Sequence, residues 1–332
     1  MVPVVAATGT VIAFSAAMVK ALTLAKRLAR LPRPLLLLGP SGVGKGLLAR
    51  VIHAHSGRPG EFVAVAGGEL SESLLQDQLV GHEPGAFTGA QRQVRGAFER
   101  AQNGTLFLDE LPLWSLAAQS AVLRAVDEAV VTRLGGEREL ALNCRLLFAS
   151  NRPVQRLVDE GRLLPDLQWR IRDFVIEVPP LAGRFVDIAA HSYQALDAAA
   201  HELGGCGPSV IAPEALEQLL TYQWPGNVRQ LRSVIEWAWI QAETDGAKQI
   251  EIVHLPLYVV QDRARWVEPD RGARRDLTVW AFERAGHNRK LAATLLGVHP
   301  NTIDYHRRAV SRTCPATSQR GAGGAQKAAA DL

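Results

Sequence analysis

The sequence predicts an α/β domain built on a parallel sheet, followed by two smaller helical parts. Apolar runs separated by helical patterns predict buried strands at Leu35–Leu38, Phe62–Ala66, Thr105–Leu108 and Arg145–Ala149. Strands that alternate with helices indicate a parallel sheet with helices on both faces. From Asp187 onward the pattern is helical only, so the helical parts are expected after the sheet.

Helical spacing divides the second half of the chain into two parts. The first is expected to contain three helices, at Asp187–Leu203, Pro213–Tyr222 and Val228–Glu243. A polar stretch without a clear period, Leu257–Arg275, predicts a linker, and Asp276–Val310 holds three short helical segments. Pro315–Leu332 is rich in Ala, Gly and Ser and is expected to be disordered.

Composition narrows the class of protein. The 332 residues are 47% hydrophobic and 21% charged, an ordinary balance for a protein with a sizeable core. The net charge is only +4, yet Asp270–Arg320 holds ten Lys or Arg against four Asp or Glu. This local excess favours an anionic partner, although a solvated tail gives the same pattern.

Cysteine usage and hydropathy bear on location. The three cysteines, Cys144, Cys206 and Cys314, are far apart and lack paired or metal-ligand spacing, which suits a reducing cytoplasm. No apolar run reaches the roughly 18 residues that span a bilayer. We therefore expect a cytoplasmic location and no membrane partner.

A glycine-rich turn between a strand and a helix predicts a nucleotide site. The turn consists of Gly39, Pro40, Ser41, Gly42, Val43, Gly44 and Lys45. Glycines let backbone N–H groups approach a phosphate, the helix N-terminus adds positive potential, and the lysine reaches the outer phosphates. Gly46 follows the lysine, where most such loops carry a Ser or Thr that binds Mg²⁺.

Polar residues after two other strands are candidates for the same site. Asp109 and Glu110 follow Thr105–Leu108, at the edge of a parallel sheet where ligands bind. Asp109 is expected to help hold Mg²⁺ as a metal ligand, and Glu110 to orient the attacking water. Taken alone, the pair could equally cap a helix. Asn151, after the strand that ends at Ala149, could sense the γ-phosphate or lie in an ordinary turn.

A loop near residue 85 carries a family resemblance. Its residues are Gly85, Ala86, Phe87, Thr88, Gly89 and Ala90, and the string resembles the signature loop of the sigma-54 transcription activators. An exposed Phe on a mobile loop is a liability unless it meets a partner. Taken alone, Phe87 would be expected in the core, but the whole string favours contact with the sigma factor.

The resemblance extends over Thr8–Val310. It includes the strings at 95–101, 133–136, 178–181 and 224–229. It implies a P-loop AAA+ α/β domain with a parallel sheet at 1–186, a helical lid at 187–256, a linker at 257–275, a small all-α Fis-type helix-turn-helix domain at 276–312, and a tail at 313–332. It also implies ATP and Mg²⁺ as cofactors, a homo-oligomeric ring of six subunits, and sigma-54 RNA polymerase as partner.

The resemblance assigns roles to two arginines. Arg229 resembles the lid arginine that contacts the nucleotide, and Arg170 resembles an arginine finger that reaches the neighbouring subunit's catalytic site. Either could instead form a surface ion pair. Because the chain begins almost directly at the ATPase domain, we expect control by abundance, a separate protein or nucleotide.

Four positions depart from the family pattern: Leu164 stands where the first arginine finger is expected, Ala66 replaces an Asn that restrains the water-activating Glu, Gly46 replaces a Glu, and Ala182 replaces an Arg. Arg162 lies two residues from Leu164 and could fill its place after a small loop shift. These departures put the rate and regulation of hydrolysis in question more than nucleotide binding.

The C-terminal segments predict a helix-turn-helix. Asn288 caps a helix that stops at Gly297, and Pro300 suits the start of the next helix. Residues expected to face the major groove are Asn301, Thr302, Asp304, Tyr305 and His306, and those expected to meet phosphates are Arg289, Arg307 and Arg308. A generic helical hairpin with a basic face is the alternative.

The leading hypothesis is an ATP-hydrolysing activator that binds inverted-repeat sites on upstream double-stranded DNA and remodels the closed promoter complex. The alternative is an ATP- and DNA-binding subunit with weak ATPase that needs a related activator subunit for turnover. A P-loop protein of protease or replication machinery would leave Gly85–Ala90 and the C-terminal domain unexplained.

Overall fold

The computed structural model describes residues 4–6, 9–68, 72–204, 207–261 and 269–313, with backbone only at 4–6, 9–10, 72–73 and 308–313. The elements up to residue 177 are β1 (Val4–Ala6), β2 (Gly9–Val11), α1 (Ala16–Leu28), β3 (Leu35–Leu38), α2 (Lys45–Ser56), β4 (Phe62–Ala66), α3 (Glu72–Val80), β5 (Gly81–His82), β6 (Val94–Arg95), α4 (Ala97–Arg100), β7 (Thr105–Asp109), α5 (Leu116–Glu128), β8 (Val130–Thr132), β9 (Glu139–Ala141), β10 (Arg145–Ser150), α6 (Val154–Asp159), α7 (Pro165–Ile171) and β11 (Val175–Glu177).

Five of these strands form one parallel sheet in the order β11-β3-β10-β7-β4. Side chains alternate between its faces, so Leu35 and Leu37 pack with α1 and α2 while Leu36 packs with α3, α5 and α7. Because both faces are covered, the strands are apolar in their middle positions, and charged residues such as Asp109, Arg145 and Glu177 stand at strand ends. The predicted parallel sheet is therefore confirmed, with β11 as a short edge strand that the sequence patterns did not indicate.

Arg145 is a buried cation that fixes the end of α1. It begins β10 and is almost fully buried. Its guanidinium donates to the carbonyl of Leu28 at 2.8 Å and to the carbonyl of Ala29. These carbonyls lack partners within the helix, so Arg145 satisfies the C-terminus of α1. Burial lowers the pKa of Arg145 to about 10.

The second half of the described chain is almost entirely helical. Its elements are α8 (Phe185–Leu203), β12 (Val210–Ile211), α9 (Pro213–Thr221), α10 (Asn227–Thr244), β13 (Gln249–Ile250), α11 (Leu257–Gln261), α12 (Arg271–Arg284), α13 (Arg289–Leu296) and α14 (Pro300–Thr313). The helices α8, α9 and α10 form the lid, with Trp224 and Trp239 buried inside it. Each lies within two residues of its predicted bounds.

The predicted linker is helical at both described ends. Leu257–Gln261 forms α11, and α12 begins at Arg271, where the Asp270 carboxylate accepts from the N–H of Ala273 at 2.7 Å. The range predicted as a linker, 257–275, is thus helical at both described ends, and α12 begins before the predicted Asp276 because Asp270 supplies an N-cap. Residues 262–268, Cys206 and the predicted tail from Cys314 onward lie outside the described residues.

The C-terminal helices share a hydrophobic core with the lid. Trp280 of α12 is buried, and its ring lies 5.7 Å from that of Tyr193 on α8. Arg284 lies over Tyr193 at 4.3 Å and reaches Asp197 at 3.5 Å. One apolar cluster therefore runs from α8 to Ile303 of α14, although the two parts were predicted as separate domains. No helix in the described ranges has the length and apolarity to cross a membrane.

Candidate nucleotide-binding site

A cavity of about 540 Å³ lies at the carboxyl edge of the sheet. The glycine-rich loop, the ends of β7 and β10, and α10 of the lid surround it. Of the predicted site residues, it brings together Ser41, Gly42, Gly44, Lys45, Gly46, Asp109, Glu110, Asn151 and Arg229. Asn151 lies exposed directly after β10. The carboxyl ends of three neighbouring strands meet here because the sheet is parallel.

The glycine-rich loop is shaped to receive an anion. Gly42 and Gly44 have φ of 78° and 97°, a region that favours glycine. A Cβ at Gly42 would also stand 2.3 Å from the carbonyl oxygen of Gly226. Gly44 caps α2, so the unpaired N–H groups of the first turn of α2 are available to phosphate.

Lys45 is held inside this loop. Its ammonium donates to the carbonyls of Gly39 at 2.9 Å and Pro40 at 3.1 Å. Burial lowers the pKa of Lys45, while the carboxylates of Asp109 and Glu110 oppose the shift. Phosphate oxygens offer the buried ammonium a stronger acceptor than two neutral carbonyls.

Asp109 and Glu110 present two carboxylates to the cavity. The Oδ1 of Asp109 accepts from the N–H of Glu110 at 2.8 Å. The carbonyl of Asp109 accepts from the indole of Trp114 at 2.7 Å and from the N–H of Gly67 at 3.1 Å. The end of β7 is therefore fixed, and Glu110 continues from it in the left-handed region with φ 57°.

These carboxylates suit Mg²⁺ that is bound largely through a nucleotide. Within the described residues, no group of three or more His, Cys, Asp or Glu side chains could hold a metal. Mg²⁺ is often held by one or two carboxylates together with phosphates and water. Asp109 fits that role, whereas Gly46 offers no hydroxyl.

The lid contacts the loop directly. Arg229 donates from Nη1 to the hydroxyl of Ser41 at 3.3 Å, and its N–H donates to the carbonyl of Gly42 at 3.3 Å. Asn227 donates to the carbonyl of Ser41 at 2.8 Å and accepts from the N–H of Leu181 at 2.8 Å. Asn227 was not among the predicted site residues, although it lies inside the string at 224–229 that carries the resemblance.

Arg170 is not brought to this cavity. It is exposed on α7, and its Nε donates to the Asp127 carboxylate at 2.5 Å, which raises the pKa of Arg170. Leu164 precedes α7, and its N–H donates to the side chain of Gln119 at 2.9 Å. Arg162 donates to the carbonyl of Pro112 at 2.7 Å. Moving Arg162 toward the place of Leu164 would break this bond.

The loop from Gly85 to Ala90 is a closed turn on the surface. The N–H of Gly85 donates to the carbonyl of Ala90 at 2.8 Å, and both Gly85 and Gly89 have positive φ. Phe87 is 47% exposed, and its ring meets that of His82 edge-on at 4.9 Å. The loop thus presents an aromatic ring without burying it in the core.

An ion-pair cluster fixes the base of this loop. Arg133 donates to Glu83 at 2.6 Å and to Glu99 at 2.6 and 2.7 Å. The hydrogen bond to Glu99 raises the pKa of Arg133, and the bond to Glu83 adds to this effect, while burial opposes it. A Cβ on Gly135 would stand 2.8 Å from Ala86, so the turn after β8 packs against the exposed loop.

The helices predicted to form a helix-turn-helix have the expected turn and caps. The Asn288 carboxamide accepts from the N–H groups of Lys290 and Leu291 at 3.0 and 3.3 Å, and Gly297 ends α13 with φ 61°. Asn301 and Tyr305 are exposed, whereas Thr302 and His306 are half-buried.

The basic residues of this domain differ from one another. Arg289 donates to Asp304 at 2.7 Å. The guanidinium of Arg307 lies 4.0 Å from the ring centre of Phe282 and 3.8 Å from Asp304. Arg307 therefore covers an aromatic side chain, at a position where an apolar residue would be usual. This contact was not expected when Arg307 was predicted to meet phosphate. The side chain of Arg308 is outside the described residues.

A parallel α/β sheet with a glycine-rich loop that is contacted by a helical lid is the arrangement of the AAA+ class of P-loop proteins. Residues 178–271 match the model of the AAA+ ATPase lid domain, and residues 11–177 match that of the Sigma-54 interaction domain. The chain therefore belongs to the family of sigma-54-dependent transcriptional activators, as the sequence predicted.

Curated relatives support the assignment. The Psp operon transcriptional activator of Escherichia coli (strain K12) is 39% identical over 300 residues, covering 84% of this chain and 89% of that protein. The Nif-specific regulatory protein of Azotobacter vinelandii is 35% identical over 289 residues, covering 84% of this chain and 55% of that protein. The chain thus spans little more than half the length of the Nif-specific regulators.

Solved structures show the same fold. NtrX from Brucella abortus in complex with ATP is similar with a TM-score of 0.68 and 27% identity, covering 91% of this chain and 69% of the NtrX chain. Its complex with ADP gives a TM-score of 0.69 and 26% identity, covering 91% and 70%.

Proposed function

We propose that the protein hydrolyses ATP in an oligomeric ring and thereby activates transcription by cytoplasmic sigma-54 RNA polymerase from DNA sites that its C-terminal helices bind. The observation that carries the proposal is the cavity where Lys45, Asp109, Glu110 and Arg229 meet. The ATP and ADP complexes of the related NtrX structure support a nucleotide in this place.

The cavity suits ATP through complementary charge. Backbone N–H groups of the loop and Lys45 bind phosphate oxygens, and Arg229 approaches from the lid. Mg²⁺, held by Asp109 and the phosphates, would offset the negative charge of the triphosphate. Glu110 orients the water that attacks the γ-phosphate and accepts its proton.

Arg170 acts on the neighbouring subunit in this proposal. It lies outside the cavity of its own chain and is exposed, so it is available to a second copy. Its pair with Asp127 is exposed and therefore weak, which lets the guanidinium exchange that carboxylate for a phosphoryl group. This step needs a ring, for which six subunits are expected from the family.

The exposed loop and the C-terminal helices supply the two partner contacts. Gly85–Ala90 presents Phe87 and Thr88 to the sigma factor, and the ion pairs of Arg133 hold its base. Asn301, Thr302, Asp304, Tyr305 and His306 face DNA bases, while Arg289, Arg307 and Arg308 support phosphate contact. Two copies would place two recognition helices on inverted half-sites.

Transcription in vitro from a sigma-54 promoter tests the proposal. Open-complex formation is expected only with the protein and hydrolysable ATP together. If ATP binding is intact but activation is absent at every protein concentration, the proposal that the protein activates transcription on its own is rejected.

The alternative is an ATP- and DNA-binding subunit that needs a related partner. Leu164 favours it, because the neighbouring Arg162 is held by the Pro112 carbonyl. ATPase activity measured against protein concentration separates the two. We expect activity that rises as subunits associate and that Arg170→Ala removes without altering nucleotide affinity. Activity that depends on an added activator with both fingers would favour the alternative.

A further inference from the structure

Two glycines follow β4 where it runs beside the end of β7. Neither Gly67 nor Gly68 has φ in the left-handed region, so the backbone does not require glycine at either position. A Cβ at Gly67 would stand 2.3 Å from Trp114 Cδ1, and a Cβ at Gly68 would stand 2.8 Å from the Glu110 carboxylate. What these glycines provide is space for two side chains.

The side chains of Trp114 and Glu110 differ in how freely they can move. Trp114 is buried and bonded to the carbonyl of Asp109, so its position is fixed by packing. Glu110 is exposed and borders the phosphate cavity. Its carboxylate also acts on Lys45, opposing the fall in the pKa of that lysine. Glu110 therefore lies between the cavity on one side and the bare backbone of Gly68 on the other.

We propose that Gly68 is a positioning residue for the water-orienting carboxylate. By lacking a Cβ, it lets the Glu110 side chain rest against the backbone after β4, withdrawn from the phosphates. Ala66, at the end of β4, has no polar group that could hold the carboxylate. The space at Gly68 thus sets how often Glu110 leaves the attacking water.

A methyl group at position 68 would fill this resting place. The other atom within 2.8 Å of that methyl is Leu113 Cδ1, at the tip of a side chain that is half exposed. Both neighbours are the ends of flexible side chains, so Gly68→Ala is compatible with the fold. Because the methyl would take the place next to the Glu110 carboxylate, the carboxylate should move toward the open cavity, which Glu110 also lines.

The inference rests on the proposed ATPase, and steady-state hydrolysis with nucleotide titration tests it. In the full-length protein, Gly68→Ala should raise kcat roughly three- to ten-fold, as expected if Glu110 occupies the catalytic position only about 10–33% of the time before the substitution. The Kd for ATP should stay within about two-fold, because the phosphate contacts are unchanged. In a Glu110→Gln background the same substitution should have no effect on kcat.

Gly67→Ala is the control for damage to the fold. It directs a methyl into buried Trp114, so it should lower the Tm and reduce activity, whereas Gly68→Ala should leave the Tm nearly unchanged. Should Gly68→Ala alone be unstable, Gly68→Ala with Leu113→Ala removes the second close contact, and the rise in kcat should then appear in the double variant.

The outcomes separate the two proposals. If Glu110→Gln retains full hydrolysis, the proposed catalytic site itself is wrong. If Glu110→Gln stops hydrolysis but folded Gly68→Ala has unchanged or lower kcat, only the resting place at Gly68 is rejected.

Discussion

In the proposed site, nucleotide binding and hydrolysis are assigned to different side chains. Lys45 is bonded within the loop and lies where phosphates would bind, whereas Glu110 borders the cavity without forming the loop. Binding and hydrolysis should therefore be separable by substitution at single positions.

Lys45→Ala should weaken ATP binding roughly ten- to hundred-fold, because a hydrogen bond to a charged group contributes about 1.5–3 kcal/mol. Glu110→Gln should leave the Kd within about two-fold and lower kcat by roughly 10²–10⁴, the usual contribution of a general base. Fluorescent-nucleotide titration and phosphate release measure the two quantities. Unchanged hydrolysis in both variants would reject the site.

His191 links stability to pH. It is buried in α8, and its Nδ1 has no hydrogen-bond partner among the described residues. Burial lowers the pKa of His191 to about 4, and nearby Arg184 acts in the same direction. Between about pH 6.5 and pH 4 the unfolded chain therefore binds the proton that the folded chain excludes.

Stability should fall as pH decreases through this window, by up to about 3 kcal/mol from His191 alone. His191→Gln, which has no titrating group, should flatten the loss. Urea unfolding at several pH values measures it, with His55→Gln at an exposed position of α2 as the control. An identical pH profile for His191→Gln and the unsubstituted protein would contradict the assignment.

At the scale of elements, features that depend on residues close in sequence were predicted correctly, and features that depend on contacts between distant residues were not. The bounds of β3 and β4 and the caps of α13 come from contiguous residues and were predicted correctly. Edge strand β11 has three residues and depends on pairing with β3, a contact that no local pattern announces. The bonds of Asn227 to Ser41 and Arg162 to Pro112 join distant parts of the chain, so local sequence could not reveal them. The role of Arg307 against Phe282 is of the same kind.

The loop from Gly85 to Ala90 should be separable from hydrolysis. Phe87→Ala removes a half-exposed ring whose close ring partner is His82, so the Tm and the basal ATPase rate should change little. Activation of a sigma-54 promoter should be lost, because the ring that meets the partner is gone. Val94→Ala, at an exposed position beside the same loop, is the control that should retain activation. Full activation by Phe87→Ala would contradict the proposed contact.

At the scale of the whole molecule, the shared core changes the expected result of truncation. Removing residues 270–332 deletes Trp280 and uncovers Tyr193 on α8. Burial of one large aromatic side chain contributes about 1.5–3 kcal/mol, so the truncated chain should lose several °C in Tm. Tyr305→Ala, at a 72% exposed position, is the control: it should reduce DNA binding and keep the Tm. A truncated chain with the same Tm as the full-length protein would show that packing of Trp280 against Tyr193 does not stabilise the lid.

The contact of α12 with the lid also limits how the C-terminal helices could be exchanged with those of a relative. A C-terminal domain that was joined to the rest of the chain only by a linker could be exchanged between relatives without other changes. Here Trp280 and Arg284 meet Tyr193 and Asp197, and a Cβ on Gly297 would stand 2.7 Å from Pro213. A graft of the last three helices would therefore have to bring matching residues of α8 and α9 with it. The last three helices and the lid therefore form one packed unit of the molecule, so substitutions on either side of this contact are expected to be coupled.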